Sequence, residues 1–208
     1  MLIVKVKICG ITNYEDAAAA IDYGADLLGF NFYEKSPRYI APEAAAKIIA
    51  KLSASIDLVG VFVNDTFDKI RQVMDMCQVG WIQFHGDETP EFCDMFRSFN
   101  VKTIKAIRVK EKSDIAKADD YYTDSVLLDA FSPEKYGGTG IRTFDWNVVG
   151  HIAKRVFLAG GINADNAAEA VSKGVYGIDV CSGIESAPGK KNHEQMKKLF
   201  ENISHFRA

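Results

Sequence analysis

The chain has 208 residues, 48% of them hydrophobic, 11% aromatic and 25% charged, proportions that exclude a disordered or collagen-like polypeptide. Its 25 Lys and Arg face 28 Asp and Glu for a net charge of -3, which leaves no positive surplus to neutralise a phosphate backbone, so nucleic acid is not an expected partner. No apolar run approaches the roughly 20 residues of a membrane span, and the start, MLIVKVKICG, interrupts its apolar residues with Lys5 and Lys7, unlike a signal peptide.

In chain order, short β-branched or aromatic runs alternate with amphipathic stretches, which predicts strand and helix in turn. The strands are expected at Ile3–Cys9, Ala25–Phe32, Ile56–Asn64, Trp81–His85, Val101–Val109, Ser125–Ala130, Val156–Gly160 and Gly177–Cys181. The helices that follow them are expected at Asn13–Tyr23, Pro42–Leu52, Thr66–Cys77, Pro90–Phe99, Ser113–Tyr122, Phe144–Lys154, Ala164–Lys173 and His193–Phe206. Thr12 or Asn13, Asp65 or Thr66, and Thr89-Pro90 supply helix starts, while Gly24, Gly80 and Gly174 stand where a stop with positive φ is needed. Eight units in 208 residues have 26 apiece, enough for a strand, a helix and two short loops and no more. The expected α/β fold is therefore a single (β/α)8 TIM barrel over residues 1–208. A Rossmann sheet would carry Gly-x-Gly-x-x-Gly after its first strand, where this chain has Lys7-Ile8-Cys9-Gly10-Ile11-Thr12.

Barrel enzymes keep their chemistry at the C-terminal ends of the strands. Here those ends carry Cys9, Asn31, Asn64, His85 with Gln83, Arg108 with Lys105, Asp129, Gly160-Gly161 and Cys181-Ser182. Cys9 and Asp129, on well-separated strands, form a thiol and carboxyl pair able to flank a ligand as base and acid. Alternation sets Lys7 below Cys9 on one face of the first strand, where an ammonium favours the thiolate. Asp129 ends the apolar run Val126-Leu127-Leu128, so burial is expected to keep its proton available. Gly160-Gly161, Ser182-Gly183 and Pro188-Gly189-Lys190-Lys191 sit where barrels bind phosphate, although a Gly pair also suits a plain turn. Gly137-Gly138-Thr139-Gly140 reads as a mobile loop, and His85 is either ligand-facing or bonded within the barrel. His151, His193 and His205 read as surface residues. Cys77 and Cys93 read as packing residues, Cys181 stays open, and the four cysteines have no C-x-x-C pair, so no metal is expected and a reducing cytoplasm fits.

These segments, together with Ser36-Pro37-Arg38-Tyr39-Ile40, Val59-Gly60-Val61-Phe62-Val63-Asn64, Gln83-Phe84-His85-Gly86 and Asp179-Val180, closely resemble the phosphoribosylanthranilate isomerase family over the whole chain. The resemblance implies a cofactor-free Amadori rearrangement of a phosphosugar in tryptophan biosynthesis. It implies Asp129 as acid, Cys9 as base, Arg38 on the anthranilate carboxylate, and Asp179 near the substrate, either on the sugar or orienting its neighbours; His85, from its place at the end of the fourth strand, is the further candidate for substrate binding. The phosphate is expected at Gly160, Gly161, Ser182 and Gly183, from their place after the last two strands. Two departures stand out: Cys181 replaces the first Ser of the usual Ser-Ser-Gly, and Asn192 replaces an Asp before the last helix. The alternatives are a Schiff-base enzyme using Lys105 and a non-catalytic phosphosugar-binding module. Monomer and homodimer are both compatible with the sequence.

Overall fold

In the computed structural model, which describes residues 3–52, 55–131 and 143–207, eight parallel strands close into a barrel. They are β1 (Lys5–Cys9), β2 (Leu27–Asn31), β3 (Asp57–Phe62), β4 (Trp81–Phe84), β5 (Lys102–Val109), β6 (Ser125–Ala130), β7 (Arg155–Leu158) and β8 (Gly177–Val180). Each pairs with the next, and β8 closes on β1 with Lys7 opposite Asp179 and Ile8 opposite Val180. The expected barrel is the observed one, every strand lying inside its predicted range except β7, which begins one residue earlier, and several ending up to two residues short of it. Because side chains alternate across a strand, one parity fills the barrel interior, including Cys9, Val61, Trp81, Ile104, Leu127 and Phe157. The other parity, including Ile8, Leu28, Phe84 and Leu128, packs beneath the helices.

The helices are α1 (Tyr14–Tyr23), α2 (Pro42–Ile49), α3 (Phe67–Cys77), α4 (Pro90–Asp94), α5 (Ala167–Ser172) and α6 (His193–Asn202). Asn13, Thr66, Thr89 and Asn192 cap four of them, each side-chain oxygen accepting from a backbone N–H three residues on. Asn192, one of the two departures noted in the sequence, thus caps α6. Two segments expected as α-helices, after β5 and after β6, are instead 3₁₀ helices at Lys112–Asp120 and Trp146–His151. Their buried apolar residues explain this: Ile115 with Ala118, and Trp146 with Val149, stand three apart. That spacing stacks in line at three residues per turn. In α3, by contrast, Ile70, Val73, Met74 and Cys77 form the wider stripe an α-helix buries. Gly24 and Gly174 have the expected positive φ; Gly80 does not, since Gln78 (φ 50°) ends α3 instead.

A short antiparallel hairpin, β9 (Glu185–Ala187) and β10 (Lys190–Lys191), follows β8 and has no counterpart in the predicted elements. Among the described residues, no helix is long and apolar enough to cross a membrane. The Gly137–Gly140 segment lies outside the described residues, as does the side chain of His151. Cys77 and Cys93 are buried as expected. His193 is largely exposed, yet its ring bonds Asp16 on α1 at 2.7 Å.

Candidate active site

The C-terminal ends of β1 and β8 present a buried, charged cluster. The Lys7 ammonium, fully buried, donates to Asp179 Oδ1 at 2.8 Å. Two residues on, Cys9 and Cys181 continue the same register and the same inward parity. The neighbouring Cys181 thiol and the Lys7 ammonium hold the Cys9 thiol well below its ordinary value against the opposing effect of burial, while Cys181 Sγ itself lies 3.9 Å from Glu185 Oε1. The proximity of Cys9, with burial, pushes Cys181 well up, so of the two thiols Cys9 is the one that favours the thiolate. Burial pushes the Asp179 carboxyl up to about 6 against the pull of Lys7. Burial would depress Lys7, but Asp179 and Cys9 outweigh it and raise the ammonium. The expectation that Lys7 supports a Cys9 thiolate thus has its geometry. Gly29 on β2 makes the room: a Cβ there would lie 2.8 Å from Cys9 Sγ and 3.1 Å from Lys7 Nζ. A glycine inside a strand is the sequence signal for such close approach.

Across the mouth, β4 and β6 bring His85 and Asp129 together. Gln83 Nε2 lies 2.7 Å from His85 Nδ1, and His85 Nε2 lies 3.3 Å from Asp129 Oδ2. Since the amide nitrogen donates to Nδ1, the ring proton sits on Nε2 and is directed at Asp129. The carboxyl is not desolvated as the sequence suggested: its side chain is 28% exposed. The apolar run before it lies deeper in the barrel, and strand end meets solvent at Asp129 itself. His85 is near enough to act electrostatically on Asp179, so polar groups run across the mouth from Cys9 to Asp129.

Arg38, on the loop after β2, is buried rather than solvated. Its Nε lies 3.0 Å from both oxygens of Glu185 and its Nη2 2.7 Å from Oε2, while Nη1 takes no part in that fork. Burial would raise Glu185, yet Arg38 and Lys191 keep its carboxyl below the ordinary value. Lys191 was grouped with the phosphate loop in the sequence, but its Nζ turns inward, 2.6 Å from the Cys9 carbonyl oxygen and 3.0 Å from Glu185 Oε1. No local pattern marks these partners, which are 182 and 147 positions apart for Cys9–Lys191 and Arg38–Glu185.

The loops after β7 and β8 touch backbone to backbone. Asn163 bridges to Gly183, where a Cβ would stand 2.0 Å from the Ile162 carbonyl oxygen. Gly160 (φ +81°) and Gly161 (φ 70°) are both left-handed, and a Cβ on Gly160 would meet Ala130 N at 2.4 Å. Only glycine permits this junction, which brings Gly160, Gly161, Ser182 and Gly183 into neighbouring loops at the same end of the barrel.

Lys105 is not at the mouth. Ile104 and Ala106 take the inward parity, and the Lys105 ammonium lies on the other side of the sheet, 2.8 Å from both Glu88 Oε2 and the Gly86 carbonyl. The Schiff-base alternative loses its nucleophile. Among the described residues, no group of three His, Cys, Asp or Glu could hold a metal ion.

Fold and site together define a (β/α)8-barrel enzyme whose titratable groups gather at the C-terminal mouth. Residues 6–202 match the family model described as N-(5'phosphoribosyl)anthranilate (PRA) isomerase. The N-(5'-phosphoribosyl)anthranilate isomerase of Citrifermentans bemidjiense is 47% identical over 198 residues, 94% of each chain. The crystal structure of phosphoribosyl anthranilate isomerase from Thermotoga maritima superposes with a TM-score of 0.91 at 40% identity, covering 98% of this chain and all of that one. A phosphoribosyl anthranilate isomerase in complex with reduced 1-(o-carboxyphenylamino)-1-deoxyribulose 5-phosphate gives 0.88 at 37% identity, again over 98% and 100%. The chain belongs to the phosphoribosylanthranilate isomerase family, and it is an isomerase.

Proposed function

We propose that the chain, as one barrel domain over residues 1–208, converts N-(5'-phosphoribosyl)anthranilate to 1-(2-carboxyphenylamino)-1-deoxyribulose 5-phosphate in tryptophan biosynthesis. Asp129 protonates the ribose ring oxygen, the C1–O bond breaks, and the anilino nitrogen carries the positive charge as an iminium. The Cys9 thiolate then removes the C2 proton, and the resulting enamine tautomerises to the ketone. His85, donating to Asp129 Oδ2, leaves Oδ1 to hold the acidic proton and borders the sugar. Asp179, tied to Lys7 through Oδ1, offers Oδ2 to a sugar hydroxyl. Arg38 meets the anthranilate carboxylate through Nη1. The phosphate sits against Gly160, Gly161, Ser182 and Gly183. The proposed steps call for no cofactor among the described residues, and one barrel supplies every group they use, so a monomer or a homodimer serves equally. Four free cysteines, two of them adjacent, fit the reducing cytoplasm.

The observation that carries this reading is a buried thiol beside a buried ammonium and a second thiol, facing the same mouth as a carboxyl already bonded to an imidazole. A fluorescence assay of anthranilate-phosphoribosyl turnover tests it. Wild type turns over, while Cys9→Ala and Asp129→Asn bind substrate but turn it over far more slowly. Full turnover by either variant overturns the roles, and a wild type that binds without turnover leaves only a binding module.

A further inference from the structure

We infer that Lys191, with Glu185, is a positioning residue that links the charge on Cys9 to the orientation of Arg38. The inference rests on the reading of Cys9 as base. Lys191 is the last residue of β10, on the hairpin that folds back over the barrel mouth. Its ammonium is fully buried and each of its three protons has an acceptor within reach: the Cys9 carbonyl at 2.6 Å, Glu185 Oε1 at 3.0 Å and the Cys181 carbonyl at 3.3 Å. It thereby ties the ends of β1 and β8 together directly behind the two thiols, with Cys181 Sγ at 3.9 Å.

The charges around Cys9 explain what this does. The groups that face it are Lys7 on β1, Asp179 and Cys181 at β8, Arg38 on the β2 loop, and Glu185 and Lys191 on the hairpin; His85 on β4 acts on Asp179. Behind Lys191, Asp16 accepts its backbone N–H at 2.8 Å and pairs with His193. In the buried pairs, three cations, Lys7, Arg38 and Lys191, meet two carboxylates, Asp179 and Glu185. An uncompensated charge is costly in a dry site, and Cys9 as thiolate supplies the missing negative charge. Lys191 is the cation that makes the count uneven. Because it also holds the carboxylate that grips Arg38, the base and the residue read as meeting the anthranilate carboxylate share one support.

Lys191→Met and Glu185→Gln test this, since they change the cluster's charge in opposite directions with little change in shape. The readout is the Cys9 titration, followed by thiolate absorbance and by alkylation mapped by mass spectrometry, together with the pH profile of kcat. Lys191→Met is expected to move the Cys9 midpoint up by about one pH unit, slowing alkylation below the midpoint about tenfold. Its kcat at neutral pH falls and is recovered as pH rises. Glu185→Gln moves the midpoint down and raises KM, because Arg38 loses its fork. A support that is merely structural loses kcat at every pH and leaves both midpoints in place, which overturns the inference, as do shifts of the same sign. Should Lys191→Met fail to fold, the downward shift in Glu185→Gln decides alone. The titration needs no substrate, so its failure is separable from that of the isomerase reading.

Discussion

The two sides of the barrel mouth are built differently. At β1 and β8 and the elements that flank them the charged groups are buried and paired, Lys7 with Asp179 and Glu185 with both Arg38 and Lys191, and the half-buried Cys181 stands beside the buried Cys9. At β4 and β6 the Asp129 side chain is 28% exposed and its contact with His85 is a long 3.3 Å. A thiol is a usable base near neutral pH only if something holds it ionised, so the base sits on the dry, cation-rich side. A carboxyl that must take up a proton each turnover sits on the side open to water. The asymmetry follows the chemistry.

The largest effect expected is loss of either proton-transfer group. Cys9→Ala and Asp129→Asn should each lower kcat by about 10²–10⁴, the usual worth of a general acid or base, read in single-turnover fluorescence. A milder loss at Cys9 would mean the dry side is not where the proton leaves. Next comes Lys7→Met. Since the folded Cys9 value is depressed, the thiolate is present above it and lost as pH falls through it. Removing the ammonium should therefore carry the acidic limb of the kcat profile upward and slow Cys9 alkylation at pH 7 by about tenfold. Unchanged alkylation would leave Lys7 with only a structural part. On the open side His85→Asn should cost less, about tenfold in kcat, because Asp129 keeps water as a partner; a loss equal to that of Asp129→Asn would erase the contrast. Smallest in turnover is Lys105→Met, which breaks a buried pair outside the mouth. Thermal denaturation should show a loss of about 3–5 kcal/mol, while kcat per folded molecule stays within about twofold. Borohydride trapping of Lys105 with substrate would reverse that assignment.

Much of this was legible in the sequence because it is local. Strand ends, caps at Asn13, Thr66 and Thr89, and the placing of Lys7 under Cys9 all follow from spacing of two or from a cap and its next three residues. The two 3₁₀ segments were missed because a pair of apolar residues three apart fits either helix type. Lys105 was misplaced because barrel strands are apolar on both faces, so Ile104 and Ile107, on opposite faces, look alike in sequence. Asp129 was expected to be buried from its neighbours, but burial ends where the strand does. The Arg38–Glu185–Lys191 chain joins residues far apart on a hairpin that carries no strong strand signal, and only the closed barrel brings them together.

Alkylation of the wild-type protein with iodoacetamide across pH, with each cysteine followed by mass spectrometry, probes the prepared thiolate most directly. Burial pushes Cys77 up to about 11 and Cys93 up to about 12, and Cys9 together with burial pushes Cys181 well up, so the three should stay silent near neutrality. Modification of Cys9 first, with a midpoint clearly below that of an ordinary thiol, is the predicted result. Modification of Cys181 first, or a Cys9 midpoint at or above the ordinary value, would contradict the account.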